Sequence, residues 1–369
     1  MNKLRQIALS MLPGLGATGC RRLLKAMPGV DPFELPHDEL QRLFHSNRDT
    51  CAAIAGRTTF EQAGRCLRWA EEKGVRVLFC TDDDFPQRLC RPDTPDAPVL
   101  LYALGRADLN AARTLALVGS RKATHHGREF TARLVAGLKP CGATVVSGLA
   151  YGIDTAAHTA ALDEGLPTVA VLGHGLDRIY PPENRALARR IVEQGGALVT
   201  EYPHGTAINP RHFPARNRII AALSDAVGVV EAQRKGGALI TASIAQSYHR
   251  EVFAVPGRPS DPCSEGTNAL IATQRASMAR SADDIAAIMD WPLGETQAAQ
   301  PTLFPTLTAE QQHLYDVLAG EESTSMDSLL EQCGLPRPAV MAALFDLEAM
   351  QMVQALPGRR YRATTNSRQ

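Results

Sequence analysis

Two apolar segments of the chain run into glycine-rich loops whose residues are suited to binding phosphate. The first, LALVG at 115–119, continues into Ser120, Arg121 and Lys122, and the second, ATVVSG at 143–148, continues into LAYGID. Backbone N–H groups in such loops, the positive ends of the helices that follow, and a guanidinium all suit phosphate oxygens. The loops therefore predict a site for a phosphate chain. Its predicted contacts are Gly119, Ser120, Arg121, Lys122, Ser147, Gly148, Leu149 and Gly152.

A later segment, NPRHFPARNRII at 209–220, places several cations around one aromatic ring. No acidic residue lies between 202 and 224 to balance them. An aromatic side chain among arginines is typical of single-stranded nucleic acid binding, in which bases stack and phosphates pair with cations. A solvated basic helix start that binds nothing is the alternative. The predicted contacts here are Arg211, Phe213, Arg216, Asn217 and Arg218.

Asp154 and His158 stand four residues apart after the second glycine loop. On a helix this spacing puts both side chains on one face, where they could form an acid–base pair. We favour a structural interpretation, in which Asp154 caps the helix and a hydrogen-bonded His158 holds the loop. The chain has no GxxxxGK[ST] loop, no GxGxxG after the first strand and no GxSxG elbow. We therefore predict no catalytic residue and no cofactor.

The overall composition restricts the class of protein. Lys and Arg number 39, as do Asp and Glu, so the formal net charge is zero and a polyanion would need a local basic patch. Residues 111–150 provide one, with six Lys or Arg and a single acid, Glu129. The eight cysteines are scattered without a CxxC pair, which argues for a reducing compartment and against a metal site. With no apolar run of membrane-spanning length and no secretory pattern, we expect a cytoplasmic protein.

Apolar segments alternate with helix-length segments between 111 and 290. This pattern predicts an α/β fold, an extended Rossmann-like, doubly wound parallel sheet. Two upstream segments, 75–79 and 99–105, are expected to extend the same sheet. The predicted parallel strands are 115–118, 143–146, 168–172, 197–200, 226–230 and 252–255.

We divide the chain into four parts. Residues 1–75 are expected to form a helical domain of helix-hairpin-helix or SAM-like type, turned at the segment PGLG, 13–16. That hairpin could direct N–H groups at a phosphate or simply pack on its neighbour, and both alternatives stay open. The Rossmann-like domain spans 76–290, a proline-containing linker spans 291–307, and residues 308–365 read as a winged helix of three helices and a hairpin.

The charge of the winged-helix segment argues against duplex reading. Residues 308–369 hold eight acidic residues against five arginines, and two of the acids, Asp346 and Glu348, lie on the expected recognition helix. Because binding of a DNA duplex rests on neutralising phosphates, a protein-contact module is favoured. Three arginines of the hairpin keep a weak role in DNA binding open. They are Arg359, Arg360 and Arg362.

The motifs together resemble the DNA processing protein A (DprA/Smf) family from about residue 75 to residue 290. Each motif is weak alone, but their combination in this order is specific. They are VGSR, VVSGLAYGIDTAAH, AVLGHGLDRIYPPEN, FPARNRII, VVEA, LITA, VFAVPG and SEGTNALI. The resemblance implies a non-catalytic protein that binds single-stranded DNA, forms homodimers and loads the recombinase RecA during natural transformation. It also implies that the first two loops and residues 213–218 form the DNA site.

Two segments depart from the family pattern. Lys-Gly-Gly-Ala at 235–238 stands where the family usually has Ser-Gly-Ser, and Thr-Gln-Arg-Ala at 273–276 stands where it usually has Gly-Ala. The second departure adjoins Leu270 and Ile271, which we expect at the dimer surface. The main alternative function is hydrolysis of a nucleotide N-glycosidic bond, because Glu231 followed by a Gly-Gly turn faintly resembles such enzymes.

Overall fold

The computed structural model describes residues 1–44, 47–293, 307–319, 323–349, 352–356, 358 and 360–363. The chain divides into two compact units, Met1–Gly294 and Glu295–Gln369. Most of the predicted linker and Arg359 lie outside the described residues. Trp291, at the start of that linker segment, is only 8% exposed and packs into the first unit.

The first unit is built on a nine-stranded sheet, in which eight strands match the predicted apolar segments and the ninth, Ser277–Met278, is additional to them. Apart from the two-residue edge strand Ser277–Met278, which is partly exposed, each parallel strand is short and buried along most of its length, as expected for a sheet covered on both faces. The strands are β1 Arg76–Phe79, β2 Leu100–Gly105, β3 Thr114–Val118, β4 Thr144–Ser147, β5 Thr168–Val171, β6 Ala197–Thr200, β7 Ala226–Val229, β8 Glu251–Ala254 and β9 Ser277–Met278.

The strand order is β1-β2-β6-β5-β4-β3-β7-β8-β9. The strands from β3 to β9 pair in parallel, whereas β1 and β2 add an antiparallel edge next to β6. The chain adds β4, β5 and β6 on one side of β3 and then crosses over to add β7, β8 and β9 on the other. This confirms the Rossmann-like, doubly wound prediction, including the extension by the two upstream segments.

Helices cover both faces of the sheet and its N-terminal edge. Five precede the sheet and seven follow its parallel strands. They are α1 Lys3–Ser10, α2 Gly16–Ala26, α3 His37–Leu43, α4 Arg48–Ala55, α5 Phe60–Lys73, α6 His125–Gly137, α7 Ile153–Asp163, α8 Arg185–Glu193, α9 His212–Ala222, α10 Gly237–Ser247, α11 Glu265–Ala272 and α12 Ala282–Met289.

Alternation along β3 divides the core between the two faces of the sheet. Val118 points to the side covered by α9 and α10, where it joins Ile220 and Ala242. Leu117 points to the other side, where α6, α7 and α12 cover the sheet. Successive side chains of a strand face opposite ways, so a continuous apolar run supplies both cores.

Asp225, immediately before β7, joins segments that are distant in sequence. Its carboxylate accepts hydrogen bonds from the Thr114 backbone N–H at 2.9 Å and from Arg88, whose Nε and Nη2 are both 2.8 Å from it. Asp225 therefore ties β7 to the start of β3 and to the segment between β1 and β2, in the two-pronged geometry typical of an arginine–carboxylate pair.

The N-terminal helices pack on the sheet unit through polar contacts as well as a shared core. Residues near α4 contact the predicted hairpin at 13–16. Thr50 donates to Pro13 O at 2.6 Å, and Asn47 donates to Gly14 O at 3.0 Å. Arg21 on α2 donates to the carbonyls of Ala97 and Pro98, each at 2.9 Å. These contacts give the hairpin and Arg21 packing partners within the unit.

The second unit contains the predicted winged-helix elements around a separate apolar core. Arg360 donates to Ser323 O at 2.8 Å and Arg362 donates to Gln354 Oε1 at 2.8 Å, so both described hairpin arginines have partners within the unit. The elements are α13 Ala309–Ala319, β10 Thr324–Ser325, α14 Met326–Cys333, α15 Arg337–Ala349, β11 Val353–Leu356 and β12 Arg360–Ala363.

Candidate functional site

A crevice opens at the carboxyl ends of β3 and β7, where the strand order reverses. The loops after these two strands leave in opposite directions, and this is where ligands bind in open α/β sheets. The crevice has a volume of about 380 Å³, within the range of ligand pockets. Its lining includes Gly119, Ser120, Arg121, Lys122, Ala150, Asp154, Phe213, Arg216, Asn217, Glu231, Gln233, Gly236, Gly237 and Ile240.

Glycines allow the two predicted loops to lie directly against each other. A Cβ added to Gly119 would lie 2.5 Å from Ile153 Cγ1. A Cβ added to Gly152, whose φ is +79°, would lie 2.1 Å from Ser120 O. No side chain fits at such distances, so both positions require glycine. The close approach leaves Arg121 and Lys122 exposed at the mouth of the crevice.

Arg121, Phe213 and Tyr180 form a cation–aromatic cluster at this mouth. The guanidinium carbon of Arg121 lies 5.9 Å from the centroid of the Phe213 ring, close to the usual limit of a cation–π contact. The Tyr180 ring lies 5.5 Å from Phe213 and is tilted by 41°. Tyr180 is 42% exposed. The structure thus brings together the cation of the first loop and the aromatic ring of the later segment, 209–220.

Arg216 also reaches the crevice, and one nitrogen of its guanidinium, Nη1, is engaged by the protein backbone. The side chain is buried, and Nη1 donates to Gly148 O at 2.5 Å and to Val171 O. Burial lowers the pKa of Arg216 to about 10, so the guanidinium stays charged at neutral pH. It joins the ends of β4 and β5, and a Cβ on Gly148 would lie 2.3 Å from its Nη1. Holding these strand ends is a role that spacing alone did not indicate.

Arg218 lies outside the crevice lining and forms an ion pair with Glu201, at 2.5 Å. The expectation that its guanidinium lines one groove with Arg121 is therefore not met. The charge count between 202 and 224 missed Glu201 because it stands one residue outside that window. Arg211 is exposed at the start of α9 but does not line the crevice, whereas Asn217 does.

Two residues of the second loop turn their side chains into the protein. Ser147 is fully buried and donates to Leu117 O at 2.7 Å. Leu149 is fully buried in the core beneath α8. Their side chains are therefore structural, whereas Tyr151 of the same loop is 42% exposed and donates to Glu183.

Asp154 holds the second loop rather than capping its own helix. Its Oδ2 accepts from Gly148 N at 3.2 Å and from Ala150 N at 3.3 Å, and α7 has no side-chain cap. Burial raises the pKa of Asp154, although the Arg216 charge acts in the opposite direction. His158 is fully buried and its Nδ1 lies 2.7 Å from Thr168 Oγ1. Both side chains therefore have structural partners rather than forming an acid–base pair. The partners differ from those we favoured, because Asp154 holds the loop instead of capping α7 and His158 contacts Thr168 of β5 instead of the loop.

His174 and Tyr180 are candidate site residues that the sequence analysis did not select. His174 is buried, with Nδ1 3.0 Å from Gly175 O and Nε2 3.2 Å from Tyr180 N. The first nitrogen must donate and the second must accept, so the ring is neutral. Burial lowers the pKa of His174, which favours that form. Tyr180 could have been found from the sequence, because it is an aromatic residue before Pro-Pro in the loop after β5, a strand of the same parallel sheet.

Glu231 is used to position α6. Its carboxylate accepts from Thr124 N at 3.0 Å and from Thr124 Oγ1 at 2.5 Å, and Thr124 caps α6. The side chain is 6% exposed, and a Cβ on Gly127 would lie 2.4 Å from its carboxyl carbon. Among the described residues, the acids that line the crevice are Asp154 and Glu231, both buried, while Arg121 and Lys122 are exposed. The mouth is therefore positively charged.

The two departures from the family pattern have different surroundings. Gly236, Gly237 and Ala238 line the crevice at the start of α10. Arg275, in the second departure, donates to Gln246 Oε1 at 2.8 Å and to Ser243 Oγ at 2.9 Å, which joins it to α10. Leu270, expected at a dimer surface, is 4% exposed and packs into the core. That expectation is wrong for Leu270, because burial within the chain explains its apolar character.

We expect His158 to make stability depend on pH. Burial lowers its pKa to about 3, well below the unfolded value, so the unfolded chain binds the extra proton below about pH 6.5. The contribution of His158 to the free energy of unfolding is therefore complete above that pH. It is lost as the pH falls, by up to about 1.4 kcal/mol per pH unit. Denaturant unfolding between pH 7.5 and 5 should be less pH-dependent in His158→Asn. The exposed His125→Asn should keep the parent slope, and equal slopes in parent and His158→Asn would contradict the expectation.

None of the described helices is long and apolar enough to cross a membrane. Within the same residues, no group of three or more His, Cys, Asp or Glu side chains is arranged to hold a metal ion.

Comparisons with known proteins agree over most of the chain. A profile of the DNA recombination-mediator protein A family matches residues 76–290, and a profile of the DprA winged helix domain matches residues 296–359. The chain is 36% identical over 324 residues to the protein Smf of Synechocystis sp., covering 79% of this chain and 81% of that protein. It is also 36% identical to a putative DNA processing protein DprA of Mycobacterium tuberculosis, covering 92% of this chain and 90% of that one.

Two solved structures are similar in fold and sequence. DNA processing protein A from Streptococcus pneumoniae has a TM-score of 0.67 at 33% identity, covering 78% of this chain and 98% of that one. DNA processing protein A from Helicobacter pylori has a TM-score of 0.53 at 29% identity, covering 59% of this chain and 97% of that one. The Helicobacter pylori structure concerns a single-stranded DNA binding mode of that protein.

Proposed function

The chain belongs to the DNA recombination-mediator protein A family, and from this premise we propose that it binds single-stranded DNA at the crevice between β3 and β7. The observation that carries the proposal is the cluster of Arg121, Phe213 and Tyr180 beside glycine loops, in which Arg121 and Tyr180 are exposed and Phe213 is half-buried. Aromatic faces stack on bases of any sequence, and neighbouring cations hold the phosphates. The relative from Helicobacter pylori with a described single-stranded DNA binding mode adds support.

We further propose that the protein works in the cytoplasm, protects incoming single-stranded DNA and transfers it to the RecA recombinase in natural transformation. Family membership supports this role. A homodimer is also proposed, and the exposed Met278 on the edge strand β9 and the exposed Ile288 on α12 support an apolar contact surface there. Sedimentation of the chain should show concentration-dependent association, which replacement of Met278 by Asp should weaken.

Comparative gel shifts test the proposed ligand. A long thymidine oligonucleotide should bind far more tightly than a duplex of equal length, because stacking requires unpaired bases. Competition with mixed-sequence oligonucleotides should reveal little sequence preference. Preferential binding of duplex, or of a free mononucleotide over any oligonucleotide, would reject the proposal in favour of a duplex reader or a nucleotide-regulated module.

We propose no catalytic role and expect no hydrolase activity. Both oxygens of Glu231 accept hydrogen bonds from Thr124, which leaves this carboxylate engaged in the α6 cap rather than free as a base. Incubation with nucleoside mono- and triphosphates should release neither base nor phosphate, as followed by chromatography. Turnover that Glu231→Gln abolishes, while Glu129→Gln on the exposed side of α6 retains it, would establish the N-glycosidic alternative instead.

The winged-helix unit is expected to be dispensable for binding single strands. Its described hairpin arginines, Arg360 and Arg362, already donate hydrogen bonds within the unit. Ending the chain after residue 299 should therefore change oligonucleotide affinity by no more than a few-fold. Fluorescence anisotropy would measure this, and a hundred-fold loss, about 2.7 kcal/mol, would show that the unit contributes to the DNA site.

A further inference from the structure

Helix α15 of the second unit presents an apolar stripe to solvent. Phe345 is 73% exposed, more than any other large apolar side chain in the described part of the chain, and Met341, one turn earlier, is 52% exposed. The opposite side of the helix is buried in the unit's core through Val340, Leu344 and Leu347. The exposed stripe is therefore additional to the side that folds the unit. Solvent-exposed aromatic and thioether side chains one turn apart are typical of a protein-contact surface.

The chemistry of this face does not suit the DNA duplex that such a helix reads in many winged-helix proteins. Arg337 is its only cation, and the exposed surface of the helix also carries Asp346 and Glu348. Asp346 accepts a hydrogen bond from Gln311 Nε2 at 2.9 Å, which ties it to α13. If this face of α15 lay against a DNA duplex, its apolar centre and the acid at one end would leave the DNA phosphates without counter-charges.

The spacing along the stripe makes it complementary to itself. Pro338, Met341, Phe345 and Glu348 recur at intervals of three, four and three residues, which is the spacing of a helix-pairing seam. In an antiparallel pair, Met341 of each copy would lie level with Phe345 of the other. Arg337 of one copy would then lie almost opposite Glu348 of the other, with an offset of one residue, about 1.5 Å along the helix axis. A two-fold axis requires this arrangement, with each surface complementary to itself.

We propose that the exposed face of α15 pairs with the same face of a second copy of this chain, antiparallel about a two-fold axis. Phe345 and Met341 form the apolar centre, and the pairs of Arg337 with Glu348 close both ends. A contact between two short helix faces is small compared with a standard protein interface, so the free chains associate weakly. Chains that are held together on one DNA strand reach a high effective concentration, which favours the pair.

Cross-linking of the full-length chain tests the geometry. Ala342 is exposed beside the stripe and close to the proposed axis. In a Cys90→Ser background, which removes an exposed native thiol, Ala342→Cys should form covalent dimers with a short bis-maleimide. The rate should exceed that of Glu331→Cys, an exposed position on α14, at least ten-fold. Adding a long thymidine oligonucleotide should raise the difference further, but the free chain alone tests the pairing and does not depend on the proposed DNA binding.

Charge reversal distinguishes this pairing from random collision. Phe345→Glu should reduce the cross-linking of Ala342→Cys to the Glu331→Cys level without unfolding the unit, since Phe345 is mostly exposed. Arg337→Glu alone should slow it several-fold, and Arg337→Glu combined with Glu348→Arg should restore it. Equal cross-linking of Ala342→Cys and Glu331→Cys, or cross-linking unaffected by these changes, overturns the proposal. Protection of the Ala342→Cys thiol without dimer formation also overturns it, and would indicate docking within one chain or on another partner.

Discussion

Replacing Arg216 with Met is expected to destabilise the first unit by about 3–5 kcal/mol, the usual cost of removing one partner from a buried ionic contact. The guanidinium is 3% exposed and donates to the carbonyls of Gly148 and Val171. Methionine fills most of the space but offers no donor, so both carbonyls lose their partner in a buried place. The Asp154 carboxylate would also lose the nearby positive charge that lowers its pKa.

Denaturant unfolding of the full-length protein would measure the effect, with Arg211→Met as the matched control. Arg211 is exposed in the same segment and should change the free energy of unfolding by less than about 0.5 kcal/mol. Single-strand affinity should fall with Arg216→Met as well, because the ends of β4 and β5 are no longer held. A variant as stable as the parent would show that Arg216 is free to bind a ligand, as its sequence context first indicated.

Replacing Arg121 and Phe213 should weaken single-strand binding in two distinguishable ways. Arg121→Ala removes an exposed cation, so every oligonucleotide should bind more weakly and the log–log salt slope should become shallower by about 0.7, the value for one phosphate contact. Phe213→Ala removes a stacking surface and should cost roughly 1–3 kcal/mol with the salt slope unchanged. The two side chains are in contact, so the effects should not be additive.

Fluorescence anisotropy at several salt concentrations would separate these effects. Arg133→Ala is a suitable control, because this arginine is exposed on α6 and does not line the crevice. It should leave both affinity and slope close to the parent values. If Arg121→Ala in a folded protein behaves like Arg133→Ala, the crevice is not the DNA site.

The parallel sheet and the crevice were predictable because they follow from patterns local in sequence. Short apolar runs separated by helix-length segments specify buried parallel strands, and glycine loops after such strands meet at one edge. The contact between Arg121 and Phe213 followed from that edge alone. The same principle applies to the loop after β5 that holds Tyr180, but this residue was not selected because it stands apart in sequence from the arginines of 209–220.

The roles of individual arginines could not be predicted, because they depend on which atoms lie near each guanidinium. Arg216 and Arg218 are two residues apart, yet one holds backbone carbonyls and the other pairs with Glu201. A count of charges in a window detects neither carbonyl acceptors nor an acid just outside the window. Leu270 shows the same limit, because an apolar residue on a helix predicts burial without saying whether its neighbour belongs to the same chain.

The pairing of β3 with β7 has a consequence for synthesis of the protein. Thr114 donates a hydrogen bond to Asp225, which lies 111 residues later in the sequence. Arg88 also donates to this carboxylate, so it has no partner there until Asp225 has been synthesised. While the ribosome is still making the intervening residues, β3 has one edge without its neighbour, and exposed strand edges promote aggregation. Contacts so distant in sequence also slow folding, because a long loop must close before they form. That edge of β3 therefore stays exposed until β7 has left the ribosome, and a fragment ending between β6 and β7 would keep it exposed permanently.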